Sequence, residues 1–209
     1  MRLVHGMFCA VMLTGGMIDS AAAQDVGAPE YVTYIVAAQE NEARYLVREQ
    51  LARVNLPNDA VGRTAAVSGS ITIDAQGAVL RDRSRFTIDM TTLKSDNDRR
   101  DNYVRRNTLE TDEHPAVVFV PAGFRGLNHP LPVAGELTFQ MYGDLTIRGV
   151  TRPATWDVTA IVANGRLRGV ARTSFTFDDF EMRKPRVASV LSVADDIRLE
   201  YSFHLVPAP

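Results

Sequence analysis

The stretch Gly135 to Arg148 reads GELTFQMYGDLTIR and alternates strictly. Leu137, Phe139, Met141, Leu145 and Ile147 fall on odd positions, whereas Glu136, Thr138, Gln140, Asp144, Thr146 and Arg148 fall on even ones. A β-strand projects successive side chains to opposite faces, so this segment is a strand with one apolar and one polar face. A helix would scatter the same apolar residues around its cylinder. About fourteen residues of strand extend roughly 45 Å, against the usual five or six residues per strand. A strand that long, apolar on one side only, suits a bent sheet wrapped around its apolar face.

Other segments repeat the pattern. Tyr31 to Val36 is rich in β-branched and aromatic residues and reads as a first strand. In Val67 to Asp74, Val67, Gly69, Ile71 and Ile73 alternate with Ser68, Ser70 and Thr72. After a turn at Ala75-Gln76-Gly77, Phe86, Ile88 and Met90 alternate with Arg85, Thr87 and Asp89, which predicts a hairpin or meander. Ala116 to Val120, with Phe119, is a short apolar strand, and Pro121 to Pro132 reads mostly as loop. Arg148 to Pro153 reads as a turn. Ala154, Trp156, Val158, Ala160 and Val162 then share one face. Asn164-Gly165 is the strongest hairpin signal in the chain. Beyond it Leu167, Gly169, Ala171, Phe175 and Phe177 alternate with polar residues, and Ile197, Leu199, Tyr201, Phe203 and Leu205 do the same in the last strand.

Two segments depart from strand periodicity. Ala37 to Val54 fits both a helical face (Ala43, Leu46, Val47, Leu51) and a strand (Ala43, Tyr45 and Val47 against Arg44 and Arg48), and periodicity alone leaves the two open. Leu56 to Asp59 is a turn. Ser95 to Asn107 reads as a short surface helix, with Ser95 and Asp98 as a capping box and Asp96–Arg100 and Asp101–Arg105 as acid-first pairs. Only Tyr103 and Val104 would anchor it, so it lies on the surface, at one end of a barrel.

Some eight one-sided strands joined mostly by short turns, with one helix, predict an all-β antiparallel sandwich or closed barrel. A closed eight-stranded barrel is either filled by its side chains or holds one small ligand. The 209 residues suffice for one such domain, and a net charge of -2 supplies no basic surface for nucleic acid. Arg2, the apolar run Met7 to Ile18 and Ala21-Ala22-Ala23 form the pattern of a secretory leader over residues 1–23, with cleavage near Ala23. Gln24 to Glu30 is then a mobile arm, and residues 31–207 are the domain. The single cysteine, Cys9, leaves with the leader, so the expectation is a periplasmic or secreted chain with no disulfide, no thiol chemistry and no later membrane segment.

The string Gly143-Asp144-Leu145-Thr146-Ile147-Arg148-Gly149-Val150-Thr151-Arg152-Pro153 resembles the signature of the YceI-like family. Thr92-Leu93, Arg100-Asp101, Leu109-Glu110, His114-Pro115 and Phe119 resemble a second, looser pattern of that family, and Val67-Ser68-Gly69-Ser70-Ile71 a third. The resemblance covers roughly Tyr31 to Leu205. It implies a lipocalin-like antiparallel eight-stranded barrel with one short surface helix, exported to the periplasm, that binds long isoprenoid chains of the polyprenyl or quinone type. It also favours the strand reading of Ala43 to Leu51. Glu49, Tyr103 and His114 stand where many members carry other residues, and Ala52 to Ala66 is longer and more polar than usual.

Aromatic side chains such as Phe86, Phe139, Trp156, Phe175 and Phe203 either pack into a solid core, as interiors normally do, or line a hollow, as the resemblance implies. On the second reading the ligand contacts are Tyr45, Val47, Phe86, Ile88 and Phe119, with Leu137, Phe139, Met141, Leu145 and Ile147 from the central strand, and Trp156, Phe175, Phe177 and Phe203 from the later ones. Arg99, Arg100, Arg105 and Arg183 are candidates for meeting a polar head group. The competing expectation is that the helical arginines pair with the helix's own aspartates. No cofactor is expected beyond a bound isoprenoid lipid or quinone, and protein partners are open. There is no nucleophile elbow, zinc-protease motif or phosphate loop, and His114, His129 and His204 lack metal-ligand spacing. The alternatives are a side-chain-filled barrel that binds a protein partner, or an enzyme acting on a small apolar substrate.

Overall fold

The computed structural model describes residues 30–52, 55–188 and 190–209. The expected leader (1–23) lies outside the described residues, as does the expected arm apart from Glu30. Ten strands form one antiparallel sheet: β1 (Tyr31–Val36), β2 (Glu42–Leu51), β3 (Asn58–Thr64), β4 (Val67–Asp74), β5 (Arg85–Asp89), β6 (Ala116–Arg125), β7 (Ala134–Ile147), β8 (Val150–Ala163), β9 (Arg166–Thr176) and β10 (Val190–Pro207). β1 and β2 lie end to end along the same edge of β10, with Val36 opposite Leu205 and Glu42 opposite Ser202. β3 and β4 follow one another beside them, β3 on β2 and β4 on β1. The ten strands therefore make eight ribbons, and the ring closes where β10 meets β1 and β2. This is the closed eight-stranded barrel that the resemblance implies, and one of the two architectures that the alternation leaves open.

Local chemistry sets the corners. β7 and β8 are joined by Arg148-Gly149 and β8 and β9 by Asn164-Gly165, all four residues at positive φ. Two such residues make the turn whose twist matches that of the flanking strands. The first of these turns is shorter than expected, because Val150 to Pro153 already belong to β8, with Leu145 opposite Arg152. The break between β1 and β2 is held by Asn41, which is buried. Its Nδ2 donates to the carbonyls of Ala37 and Gln39 at 2.8 and 3.0 Å, and its Oδ1 accepts from the Tyr201 hydroxyl and the His204 amide at 2.9 and 3.0 Å.

Three sequence-based expectations need correction. Asn58 and Asp59, expected to belong to a turn, open strand β3 (Asn58–Thr64), which lies within the long polar segment Ala52 to Ala66. Its backbone is recruited on both sides, by β2 and by the Arg63–Lys94 bridge. β6 continues past Val120 to Arg125, with the register shift between Pro121 and Gly123 absorbing the proline that lacks an N–H. The helix α1 is shorter, Asp98–Tyr103, and runs into a π-type turn at Val104–Thr108. Asn97, not Ser95, caps it by accepting from the amides of Arg99 and Arg100. Asp101 is buried and accepts from Ser95 through both amide and hydroxyl, at 2.8 and 2.6 Å, so the expected Asp101–Arg105 pair does not form. The Asp96–Arg100 pair does.

Candidate functional site

The inward faces do not fill the barrel. They enclose a cavity of about 1210 Å³. All fourteen apolar and aromatic residues assigned to the interior line it. From the first ribbons come Tyr45, Val47, Phe86, Ile88 and Phe119; from β7 come Leu137, Phe139, Met141, Leu145 and Ile147; from the remainder come Trp156, Phe175, Phe177 and Phe203. The aromatic rings meet in edge-to-face or tilted pairs and still leave the hollow open. Phe119 packs on Trp156 with centroids 5.8 Å apart, and Phe86 on Tyr201 at 6.4 Å. Gly143 lets β7 cross β6 closely here, since a Cβ would fall 2.3 Å from the Val120 carbonyl oxygen. The Trp156 Nε1 has no acceptor and is shut off from the void, so the indole acts there as an apolar wall.

The two ends of the barrel differ. At the end away from the helix, the β6–β7 connection folds Leu127 and Leu131 over the opening, above Phe124 and Phe139, whose rings meet at 5.5 Å. The lining residues there are buried or half-buried. At the other end, the wall includes Leu51 and Ala52 after β2, Asn97, Arg99, Arg100 and Tyr103 of α1, and Pro185, Val187 and Ala188 of the β9–β10 connection. Ala52, Asn97, Arg99, Val187 and Ala188 are exposed as well as lining, which locates the mouth.

A polar cluster sits just inside that mouth. Glu49 follows Tyr45 and Val47 on the inward face of β2 and is buried. Arg100 Nη2 donates to its Oε1 at 2.7 Å, and Nη1 bonds Asp96. Burial works against the Arg100 cation, but Glu49 and Asp96 outweigh it and hold its pKa above the ordinary guanidinium value. Tyr45 is pushed from 10.0 to about 12, chiefly by burial; Arg100 opposes the shift, and Asp101, Glu49 and Asp96 add to it. Gly62 stands opposite Tyr45, where a Cβ would meet the ring at 2.2 Å, so the glycine makes room for it. Tyr201 is raised too, by burial.

The four head-group candidates separate. Arg99 and Arg100 lie on the cavity wall. Arg105 instead donates to the Leu93 carbonyl and to Asn102, each at 3.0 Å, and Arg183 is exposed outside the lining. The buried Glu49–Arg100 pair was missed by the sequence reading, although Glu49 shares its parity with Tyr45 and Val47. Elsewhere, ligand atoms of Glu110, Glu113 and His114 lie within 4.8 Å of one another, a group that sequence spacing did not single out. Arg148 Nη2 already holds Glu110 at 2.7 Å, and none of the three lines the cavity.

The chain belongs to the YceI-like family: residues 36–205 match the model of the YceI-like domain. No curated protein matches the chain. Among solved structures, it is similar to a polyisoprenoid-binding domain from Saccharophagus degradans implicated in plant cell wall breakdown, with a TM-score of 0.66 and 14% identity over 84% of this chain and 98% of that one. Burkholderia cenocepacia BcnA gives 0.57 and 19% over 81% and 96%, and the Campylobacter jejuni YceI protein 0.56 and 17% over 77% and 91%. At these identities the likeness shows a shared fold.

Proposed function

We propose that this protein is an exported binding protein that holds a long apolar isoprenoid-type lipid, polyprenyl or quinone-like, inside the barrel for transport or storage. The observation that carries the reading is the apolar hollow. At about 1210 Å³ it exceeds the roughly 300–1,000 Å³ of ordinary ligand pockets. A protein that keeps such a void forgoes dispersion contacts that a solid core would make, and an apolar occupant restores them. Burying one isoprene unit, roughly five carbons at ~0.8 kcal/mol each, contributes ~4 kcal/mol. Three or four units reach micromolar affinity even after ordering costs.

The family membership and the structural neighbour described as polyisoprenoid-binding support the same class of ligand. Arg99, Arg100 and Asn97 are the groups placed to meet a polar head at the mouth.

The test is organic extraction of the purified protein followed by mass spectrometry. A released prenyl chain is the expected result. A clean extract, together with no quenching of the single tryptophan, Trp156, by added polyprenols or quinones, would overturn the reading.

A further inference from the structure

The mouth carries a feature that holding a lipid does not require. β10 pairs with β9 only from Asp196 onward, opposite Thr176, yet its pairing with β2 continues outward to Val190 opposite Leu51. Val190 to Asp195 and the end of β2 therefore project past the β9 rim as a flap. Val190 to Ile197 faces only Leu51 to Val47, four residue steps of β2 or roughly 13 Å. Between Val193 and Ile197 the register shifts, so the flap departs from the barrel at a bulge.

Large apolar side chains stand exposed on the flap and beside it. Leu191, next to Val190, is 69% exposed, and Leu56, in the β2–β3 turn, is 75% exposed. Val187 on the rim is 36% exposed. The 183–188 segment is two-sided: Pro185, Val187 and Ala188 line the cavity, whereas Arg183, Lys184 and Arg186 lie outside its lining and are exposed. Among the described residues no carboxylate lies within ion-pair range of Arg99, Arg183 or Arg186. Nearby acids are already compensated: Asp195 by Lys184, and Asp59 by Arg198 and Arg48. Asp98 and Asp196, with Asp178 and Asp179 beside the end of β9, have no salt bridge among the described residues.

We infer that the mouth end docks on an anionic lipid bilayer, with Leu56 and Leu191 entering the interface and Arg99, Arg183 and Arg186 meeting the phosphates around the opening. Apolar tips flanked by arginines fit that surface, because interfacial binding combines buried apolar area with attraction to anionic lipids. The docked orientation would place the opening against the membrane, so an apolar chain passes between bilayer and cavity without crossing water. The inference rests on the proposed lipid cargo only for its purpose; the docking itself does not depend on the barrel's contents.

The test is flotation of the mature protein with vesicles of phosphatidylcholine alone or mixed with phosphatidylglycerol. Flotation with the anionic vesicles, weakened by high salt, is expected. Leu56→Asp combined with Leu191→Asp should lower vesicle affinity at least tenfold. Arg183→Ala and Arg186→Ala should each lower it about fivefold, the equivalent of ~1 kcal/mol per charge. Val133→Asp, a change at a 91% exposed site at the other end, should leave it unchanged. The inference is overturned if the wild-type protein fails to float, if the double variant floats as well as wild type, or if Val133→Asp is equally damaging. It is also overturned if Leu191→Asp converts a dimer in solution to a monomer, for then the tip meets a second copy of the chain. Extraction and mass spectrometry on the same variants reads the cargo separately: prenyl lipid present without flotation removes the docking alone.

Discussion

The two ends of this barrel are built from the same alternating ribbons and finish differently. At the far end, one connection folds Leu127 and Leu131 over the opening, and the half-buried Tyr34 of β1 adds a phenol to a wall otherwise made of leucines, isoleucine and phenylalanines. At the mouth, α1 and its cap bring Asn97, Arg99 and Arg100 to the wall, the 183–188 segment adds Pro185, Val187 and Ala188, and β2 adds the inward carboxylate of Glu49. The ribbons supply a hollow with a uniform lining; the connections between them decide which end is stoppered and which carries charge. The Glu49–Arg100 charge pair of the lining thus belongs to one end, and substitutions should have very different costs at each.

The largest expected effect is on the shared wall. Leu145 is 1% exposed, and Leu145→Asp places a carboxylate in an apolar interior, where the only cross-strand cation, Arg152, is exposed and already faces Glu181 at 3.5 Å. We expect a loss of at least ~4 kcal/mol, the sum of lost burial and an unpaired buried charge. Circular dichroism and urea titration should show an unfolded or barely folded chain. A variant of near wild-type stability would mean that water fills the cavity freely.

Next comes the charge pair that marks the mouth. Glu49→Ala removes the carboxylate from Arg100, whose side chain is 18% exposed and keeps Asp96. Breaking a fully buried pair costs about 3–5 kcal/mol. With Asp96 retained and partial exposure, about 2 kcal/mol is expected by urea titration. Glu49→Ala together with Arg100→Leu should recover part of that loss, since no charge is then stranded. A double variant worse than the single would show that the pair's geometry, not charge compensation, holds the mouth.

The parity of the β-ribbons was legible in the sequence because a one-sided strand leaves a period that little else produces. Trp156, Val158, Ala160 and Val162, all buried, could be assigned inward by counting alone, and so could every residue of β7 on the wall. What could not be read was set by partners distant in sequence. Asn58–Thr64 has only Ala60 and Val61 as apolar residues, and is a strand because β2 and Lys94 offer it hydrogen bonds on both edges. Ser95 looked like a helix cap, but its hydroxyl binds Asp101, and Asn97 takes the capping role. The same holds for the site. Parity placed Tyr45 and Val47 on the wall once β2 was a strand, but no count reveals that Arg100 reaches Glu49, fifty-one residues away.

A smaller and pH-dependent effect tests the burial of the mouth tyrosine. Tyr45 titrates at about 12 in the folded chain against 10.0 as the ordinary value. A raised folded pKa gives a contribution fully present below pH 10 and lost as pH rises towards 12. Stability should therefore fall across that window by up to about 1.4 kcal/mol per pH unit for this group. Tyr45→Phe should flatten that part of the curve, leaving the portion due to Tyr201, which is raised in the same direction. An identical slope in the variant would mean that Tyr45 is open to water at the mouth. At the stoppered end Tyr34, which also lines the cavity, is raised by burial in the same direction and adds to the remaining slope.

The smallest effect should come from the outward face of β7. Glu136 sits opposite Ile161 on the polar side of the sheet and is exposed, one residue from Leu137 on the wall. Glu136→Lys reverses a charge that has no ion-pair partner among the described residues, so the change in stability should stay within about 0.5 kcal/mol. Glu49→Lys makes the same replacement on an inward position and sets a second cation against Arg100, where like charges repel in a poorly solvated space. The two substitutions share their chemistry and differ in parity and in the end of the barrel that receives them. Urea titrations of both, side by side, should separate by several kcal/mol. Equal costs would mean that the interior near Glu49 is solvated like the outer surface, and that the mouth is an open basin rather than the guarded entrance of an apolar chamber.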